Sequence, residues 1–408
     1  MSFPTSAPAA LSGVRILDLT AVVFGPYASQ TLADYGAEVI KIESPAGDST
    51  RFTGPAHEHG LSAIFQGVNR NKKSLCLDLK KAEAVEVVLK LAETADVIMH
   101  SMRPQKMVAL GLGPDKLTAR NPRIIYAGLY GFGEGGAYAG KPAYDDLIQG
   151  MSGVVDLVSR QTGDARYFPT IAADKTCALI ASHALLAALF QRERTGQGQT
   201  IEIPMFESMV SYIMVEHLYG HHFPEKAEPA GYPRALTPWR RPYASQDGLV
   251  AVMPYTDAHW QRFLLAAGYP AHAADERFST IQQRTAHIAY VYETLGTIVA
   301  KQPTQYWLDL CDREQIPAAK VNSLEDLEND PHLKSVGFFQ DVQDDQGRTY
   351  RFTRNPVRME RSSVSPQIAP QLGQNTREIL TQAGMTEAQI DHLLASGAAI
   401  ESGSKTDI

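Results

Sequence analysis

The chain has 408 residues, and 38 Lys and Arg stand against 45 Asp and Glu, a formal charge of −7. With 44% hydrophobic and 20% charged residues it can fill a core, which excludes a disordered chain. The acidic balance argues against a nucleic-acid partner, which needs a basic footprint. At roughly 150 residues per domain the length predicts two or three domains. Cys76, Cys177 and Cys311 are odd in number and far apart, so neither a disulfide framework nor a CxxC metal site can be built from them. The opening residues 1–8 lack a basic stretch leading into an apolar core, and the most apolar run, 177–190, is short for a bilayer span. We therefore expect a cytoplasmic protein with no membrane partner.

Strand-like and helix-like segments alternate over the first 150 residues. Residues 14–20 are β-branched-rich and predict a strand. Gly25-Pro26 then opens a helix that stops near Gly36, and 37–43 reads as a second strand. So short a crossover implies parallel strands. Further strands are predicted at 74–79, 96–101 and 123–128, with an amphipathic helix over 80–95. A doubly wound α/β sheet is the economical reading. Beyond Gly150 a long apolar helix (175–193), a strand (200–203) and a second apolar helix (205–219) follow. Residues 221–243, rich in His and Pro, read as a linker. A smaller α+β segment runs over 244–321 with helices at 257–267 and 280–300. Residues 322–408 return to strands at 338–342 and 350–353, then a helix pair and a polar tail.

The turn after the first strand, Thr20 to Tyr27, has no GxGxxG, which disfavours a dinucleotide. Asn69-Arg-Asn-Lys-Lys-Ser74 carries Arg70, Lys72 and Lys73. It reads either as a solvated loop or as a cradle for the phosphates of a nucleotide-like ligand. Arg103 and Lys106 follow a strand and would stand at the carboxyl edge of the sheet, where such ligands bind. His57, His59, His221 and His222 lack an Asp, Glu or Cys set at ligand spacing, so no metal is expected. Asp174 opens the long helix. As an N-cap its carboxylate would accept orphan N–H groups, whereas as a nucleophile it would be held ionised by the helix N-terminus.

The segments 11–20, Phe24-Gly-Pro-Tyr27, 32–43, Gly47-Asp48 with Arg51, and 69–74 closely resemble the class III CoA-transferases, the CaiB/BaiF group that includes formyl-CoA and carnitine CoA-transferases. The match continues through Leu110-Gly-Leu-Gly113, Gly131-Phe-Gly133, Tyr144-Asp145, 192–198 and 370–376. The resemblance implies a Rossmann-like large domain made from both ends of the chain (1–220 and 322–408) and a small domain between them. It also implies an interlocked, ring-shaped homodimer. It makes Asp174 the catalytic nucleophile, with CoA or acyl-CoA as substrate and no permanently bound cofactor. CoA-contacting segments fall on Val23 and Phe24, Leu77 to Lys80, Ser101, Met102 and Arg103, and on Ala143, Tyr144 and Asp145.

Two family arginines are replaced here by Ser44 and Ala109, so Lys41, Arg103 or Lys106 is expected to supply the missing charge. The glycine-rich flap of formyl-CoA:oxalate enzymes is absent near 253–256, which points away from oxalate. Arg240, Arg241, Tyr243 and Tyr255 are candidates for a second carboxylate. The implied activity is transfer of CoA from a short acyl-CoA such as succinyl-CoA to a carboxylic acid. Two alternatives are an α-methylacyl-CoA racemase, whose histidine is Tyr144 here, and a non-catalytic CoA-binding subunit.

Overall fold

The structure, a computed structural model, describes residues 8–403. The N-terminal reading at 1–7 and the end of the polar tail, 404–408, lie outside the described residues. The described residues form two compact units: 8–152, 169–210 and 335–403 make one, and 153–168 and 211–334 the other.

The first unit is built on one sheet. Its strands are β1 (Arg15–Leu19), β2 (Glu38–Glu43), β3 (Lys72–Leu77), β4 (Val97–His100), β5 (Ile125–Tyr130) and β6 (Gln199–Pro204). They lie in the order β3-β2-β1-β4-β5-β6, all parallel, and the short C-terminal strand Ala399–Ile400 pairs antiparallel with β3. The interior strands carry near-continuous apolar runs because both faces are covered, as a parallel sheet requires. Leu17, Ile40, Leu75, Ile98 and Tyr126 belong to one core cluster with Val88 and Leu89 of the helix Ala82–Ala92. The chain moves from β1 outward through β2 and β3, then returns so that β4 lies on the other side of β1. Strand order therefore reverses between β1 and β4, the position at which a doubly wound sheet opens a ligand crevice.

The long helix Ala172–Thr195 exceeds the predicted span and is, by length and composition, long enough to cross a membrane. Here it is a core helix. It packs on the helix Phe24–Ala33, with Ala173, Cys177, Ala178, Ala181 and Leu185 buried, and it ends at Gly196 with φ 77°. β3 begins two residues earlier than predicted, which draws Lys72 and Lys73 into the strand. The predicted hairpin forms between Phe339–Gln343 and Thr349–Thr353.

The second unit has a three-stranded antiparallel sheet (Tyr243–Ala244, Leu249–Val252, Ala318–Lys320). Its core gathers Trp260, Phe263, Leu295 and Trp307, and the Trp307 indole donates to the Val299 carbonyl at 2.7 Å. The helix expected over 280–300 is two helices, Ile281–Ala286 and Ile288–Val299, broken at His287 (φ −116°, ψ 27°). Residues 221–243, read as a linker, fold into this unit through two 3-10 turns and the helix Pro233–Leu236. Tyr243 is part of its core, and the Arg241 guanidinium lies over the Trp239 ring.

Candidate active site

Two cavities of about 300 and 310 Å³ open at the carboxyl edge of the sheet, and Ala21 lines both. The turn that separates β1 from the helix Phe24–Ala33 shapes them. Gly25 is required in that turn, because a Cβ there would lie 2.2 Å from the Thr20 Cβ. Val22 adopts φ 70°, a left-handed backbone that a β-branched residue rarely takes. Such strain persists only where surrounding contacts impose it. Here Val22 N–H donates to Asp48, and Asp48 in turn accepts from Lys41 at 2.9 Å and from Thr50.

The first cavity is lined by Leu19, Ser44, Asp48, Leu77, Lys80, Met102 and Lys106. The second is lined by Phe24, Ser101, Arg103, Tyr130, Lys141, Tyr144 and Asp174. Sequence residues from the ends of β1, β3 and β4 thus meet where the strand order reverses. Val23 is buried in the turn and does not face either cavity.

The cations divide sharply by partner. Arg70 forms a bidentate pair with Asp34 (2.5 and 3.1 Å) and also donates to the Thr353 carbonyl. Lys72 is buried against Asp18 (3.1 Å), Asn69 and the Pro26 carbonyl. Lys73 bridges Glu38 and Glu378. All three stand at the beginning of β3, away from the carboxyl edge, and line neither cavity. The reading of 69–74 as a phosphate cradle is therefore corrected: the run ties the amino end of the sheet together. Lys41 is likewise spent on Asp48 within the core. By contrast Lys80, Arg103 and Lys106 are exposed and have no acidic partner among the described residues. Lys141, which the sequence did not single out, joins Arg103 in the second cavity, its ammonium 4.5 Å from the Tyr138 ring centroid.

Asp174 is the third residue of its helix, and Ile171 occupies the N-cap with no side-chain bond. The N-cap reading is thus replaced. Capping comes from outside the helix: Asp145 Oδ1 accepts the Asp174 N–H at 3.0 Å. Burial first, and then the Asp145 charge, push the Asp174 carboxyl up to about 7. This runs against the helix N-terminus, which favours the ionised form. Asp145 itself points at this backbone and at Gln149 and does not line either cavity, contrary to its expected CoA contact.

The edge thus combines exposed cations, apolar walls and one buried carboxyl, a lining that suits an anionic, partly apolar ligand. Among the described residues no group of three His, Cys, Asp or Glu is gathered that could hold a metal ion.

Comparison with known proteins follows the same line. A succinate–glutarate CoA-transferase of Agrobacterium fabrum is 30% identical over 91% of this chain and 95% of its own. A succinyl-CoA:mesaconate CoA-transferase of Haloarcula hispanica is 32% identical over 92% and 97%. The crystal structure of Rv3272 from Mycobacterium tuberculosis superposes with a TM-score of 0.80 at 28% identity, covering 92% of this chain and all of that one. The model of "CoA-transferase family III" matches residues 11–376, which takes in every strand of the large sheet but the last and the whole candidate site. With both the sheet and the sequence in agreement, this chain is an enzyme of CoA-transferase family III, the CaiB/BaiF group.

Proposed function

We propose that the enzyme moves CoA from succinyl-CoA to a dicarboxylic acid by way of a thioester on Asp174. The observation that carries this reading is a buried carboxylate facing a cavity whose rim holds cations without acidic partners. The names of the relatives, which act on succinate, glutarate and mesaconate, supply the substrate class.

An Asp174 Oδ bonds to the donor's acyl carbon, the C–S bond breaks, and the electron pair leaves as the CoA thiolate. The thiolate attacks the Asp174 carbonyl of the mixed anhydride, and the donor acid departs as a carboxylate. The acceptor carboxylate attacks the aspartyl thioester and expels the thiolate again. The thiolate then takes the acceptor carbonyl from the second anhydride and frees Asp174. Each half-step exchanges one activated acyl group for another, so no activation is lost to water.

Lys80, Arg103 and Lys106 hold the phosphates of CoA, with Leu77 and Met102 against its apolar parts. CoA enters as substrate, and the scheme uses no resident cofactor. The working form is an interlocked homodimer in the cytoplasm; native mass spectrometry at nanomolar concentration should find dimers, and folded active monomers would contradict it.

The test is a panel of acids offered with succinyl-CoA. Glutarate, mesaconate and succinate itself should accept CoA, while acetate and oxalate should lag by at least about tenfold in kcat/KM, roughly 1.4 kcal/mol. Equal rates across mono- and dicarboxylates would remove the dicarboxylate assignment.

A further inference from the structure

Asp145 lies outside both cavities yet is aimed at the nucleophile. Its Oδ1 accepts the Asp174 N–H at 3.0 Å, and its Oδ2 accepts from Gln149 Nε2 at 2.6 Å. Gln149 is fully buried, and the same Nε2 donates to the Thr170 carbonyl at 3.3 Å, which clamps the approach to the helix. Asp145 is thus held from two sides, by the Asp174 N–H and by Gln149. A neutral side chain would serve as well for the capping alone. A carboxylate adds a fixed negative charge beside a buried carboxyl, and that charge needs a reason.

We propose that Asp145 is a positioning residue that drives the acyl-accepting step, by orienting the Asp174 backbone and by repelling the Asp174 negative charge until acylation removes it. The inference rests on Asp174 being the nucleophile. When the Asp174 Oδ bonds to the acyl carbon and the C–S bond breaks, the charge leaves on sulfur and Asp174 becomes a neutral acyl group. The repulsion is present before the step and absent after it, which is the condition for an interaction to accelerate it. A more basic carboxylate also makes the anhydride less uphill.

The same arrangement makes activity depend on one proton, since only ionised Asp174 attacks. The groups facing Asp174 are few. Asp145 approaches from the segment 145–151. On its own helix, Lys175 is turned to the Thr170 hydroxyl, and the Cys177 thiol is pushed up to about 12 by burial and by both aspartates, so it stays protonated. Across the cavity stand Arg103, Tyr130, Glu134, Lys141 and Tyr144. Tyr130 is raised to about 12 by burial and by Glu134 and Glu202. Asp174, at about 7, is the group set to titrate near neutrality.

The experiment is the pH dependence of kcat/KM for exchange between succinyl-CoA and labelled succinate. Wild type should lose activity below about pH 7 as a single proton binds. Asp145→Asn keeps an acceptor for the Asp174 N–H, gives up the bond from Gln149 and removes the charge. Its acid limb should move at least one pH unit lower, and its plateau should fall at least about tenfold. Asp145→Glu should keep the limb near its wild-type position. An unshifted limb in Asp145→Asn, whether or not the rate falls, overturns the proposal, because a merely structural cap cannot hold the midpoint. Infrared titration of the wild-type Asp174 carboxyl, identified by the band missing in Asp174→Asn, needs no change at position 145. A midpoint near 4 overturns the proposal, and one near 7 supports it only together with the lowered limb of Asp145→Asn, since burial also raises it. An active Asp174→Asn enzyme would instead remove the nucleophile reading, so the two failures are distinct.

Discussion

The backbone N–H of Val22 donates to the Asp48 carboxylate at 3.2 Å, and Val22 sits at φ 70°. A left-handed β-branched residue costs about 1–3 kcal/mol. The opposing contacts come from Asp48, which is itself anchored by the buried Lys41 at 2.9 Å and by the Thr50 N–H and hydroxyl. Glu43 completes the frame: it accepts the Asp48 N–H and a bidentate pair from Arg51. The turn that lines both cavities is therefore set from beneath by a buried ionic network.

Asp48→Ala removes the direct ion-pair partner of the buried Lys41, leaving it the Thr20 carbonyl, and frees Val22 from its pin. Breaking a buried pair from one side costs about 3–5 kcal/mol. Urea unfolding of the variant should show a loss in that range. A loss below about 1 kcal/mol would mean that the network does not hold the turn.

The division of cations by partner makes a second, opposed prediction. Arg103→Ala and Lys106→Ala should each raise KM for succinyl-CoA about tenfold, the value of one charge-assisted contact to phosphate, and the effect should weaken as salt rises. Lys73→Ala should leave KM near wild type and cost only stability, because its ammonium is committed to Glu38 and Glu378. Equal KM effects at Lys73 and Lys106 would contradict the placement of CoA.

The contrast at β3 shows where the sequence is legible and where it is not. Strands β1 to β6 were readable because runs such as Ile16-Leu-Asp-Leu19 and Val97-Ile-Met-His100 alternate with glycine- and proline-marked helices. Asp174 stood out as the acidic opening of a long apolar helix. What the local pattern could not carry is long-range pairing. Asp34, which neutralises Arg70, is 36 residues away, and Asp145 is 29 residues from Asp174. Lys72 and Lys106 look alike in sequence, and only the fold decides that one faces Asp18 in the core and the other an open cavity. The resemblance to a family makes Asp174 the nucleophile and assigns Asp145 to the ligand. The hydrogen bonds place Asp145 against the Asp174 backbone and Gln149 instead.

Asp174 should also be costly to the fold. Its carboxyl binds a proton at about 7 when folded and near the ordinary 3.8 when unfolded. Above pH 7 the buried group is ionised in the native state and opposes folding. As pH falls from 7 toward 4 the native state takes up the proton first and the penalty is relieved, worth at most roughly 4 kcal/mol at about 1.36 kcal/mol per pH unit. Asp174→Asn removes the charge at every pH. Its melting temperature should exceed that of wild type at pH 8, and the difference should shrink by pH 5. A variant less stable than wild type at pH 8 would show that the ionised carboxylate is well solvated.

The most direct measurement is chemical trapping on Asp174. Wild-type enzyme incubated with succinyl-CoA and no acceptor should hold CoA covalently, and hydroxylamine should convert the adduct to a hydroxamate that peptide mass spectrometry assigns to Asp174. Asp174→Asn cannot form the anhydride, so it should give no adduct and lose nearly all transferase activity while remaining folded. A hydroxamate at another residue, or a folded Asp174→Asn enzyme that transfers CoA at close to the wild-type rate, would contradict the account.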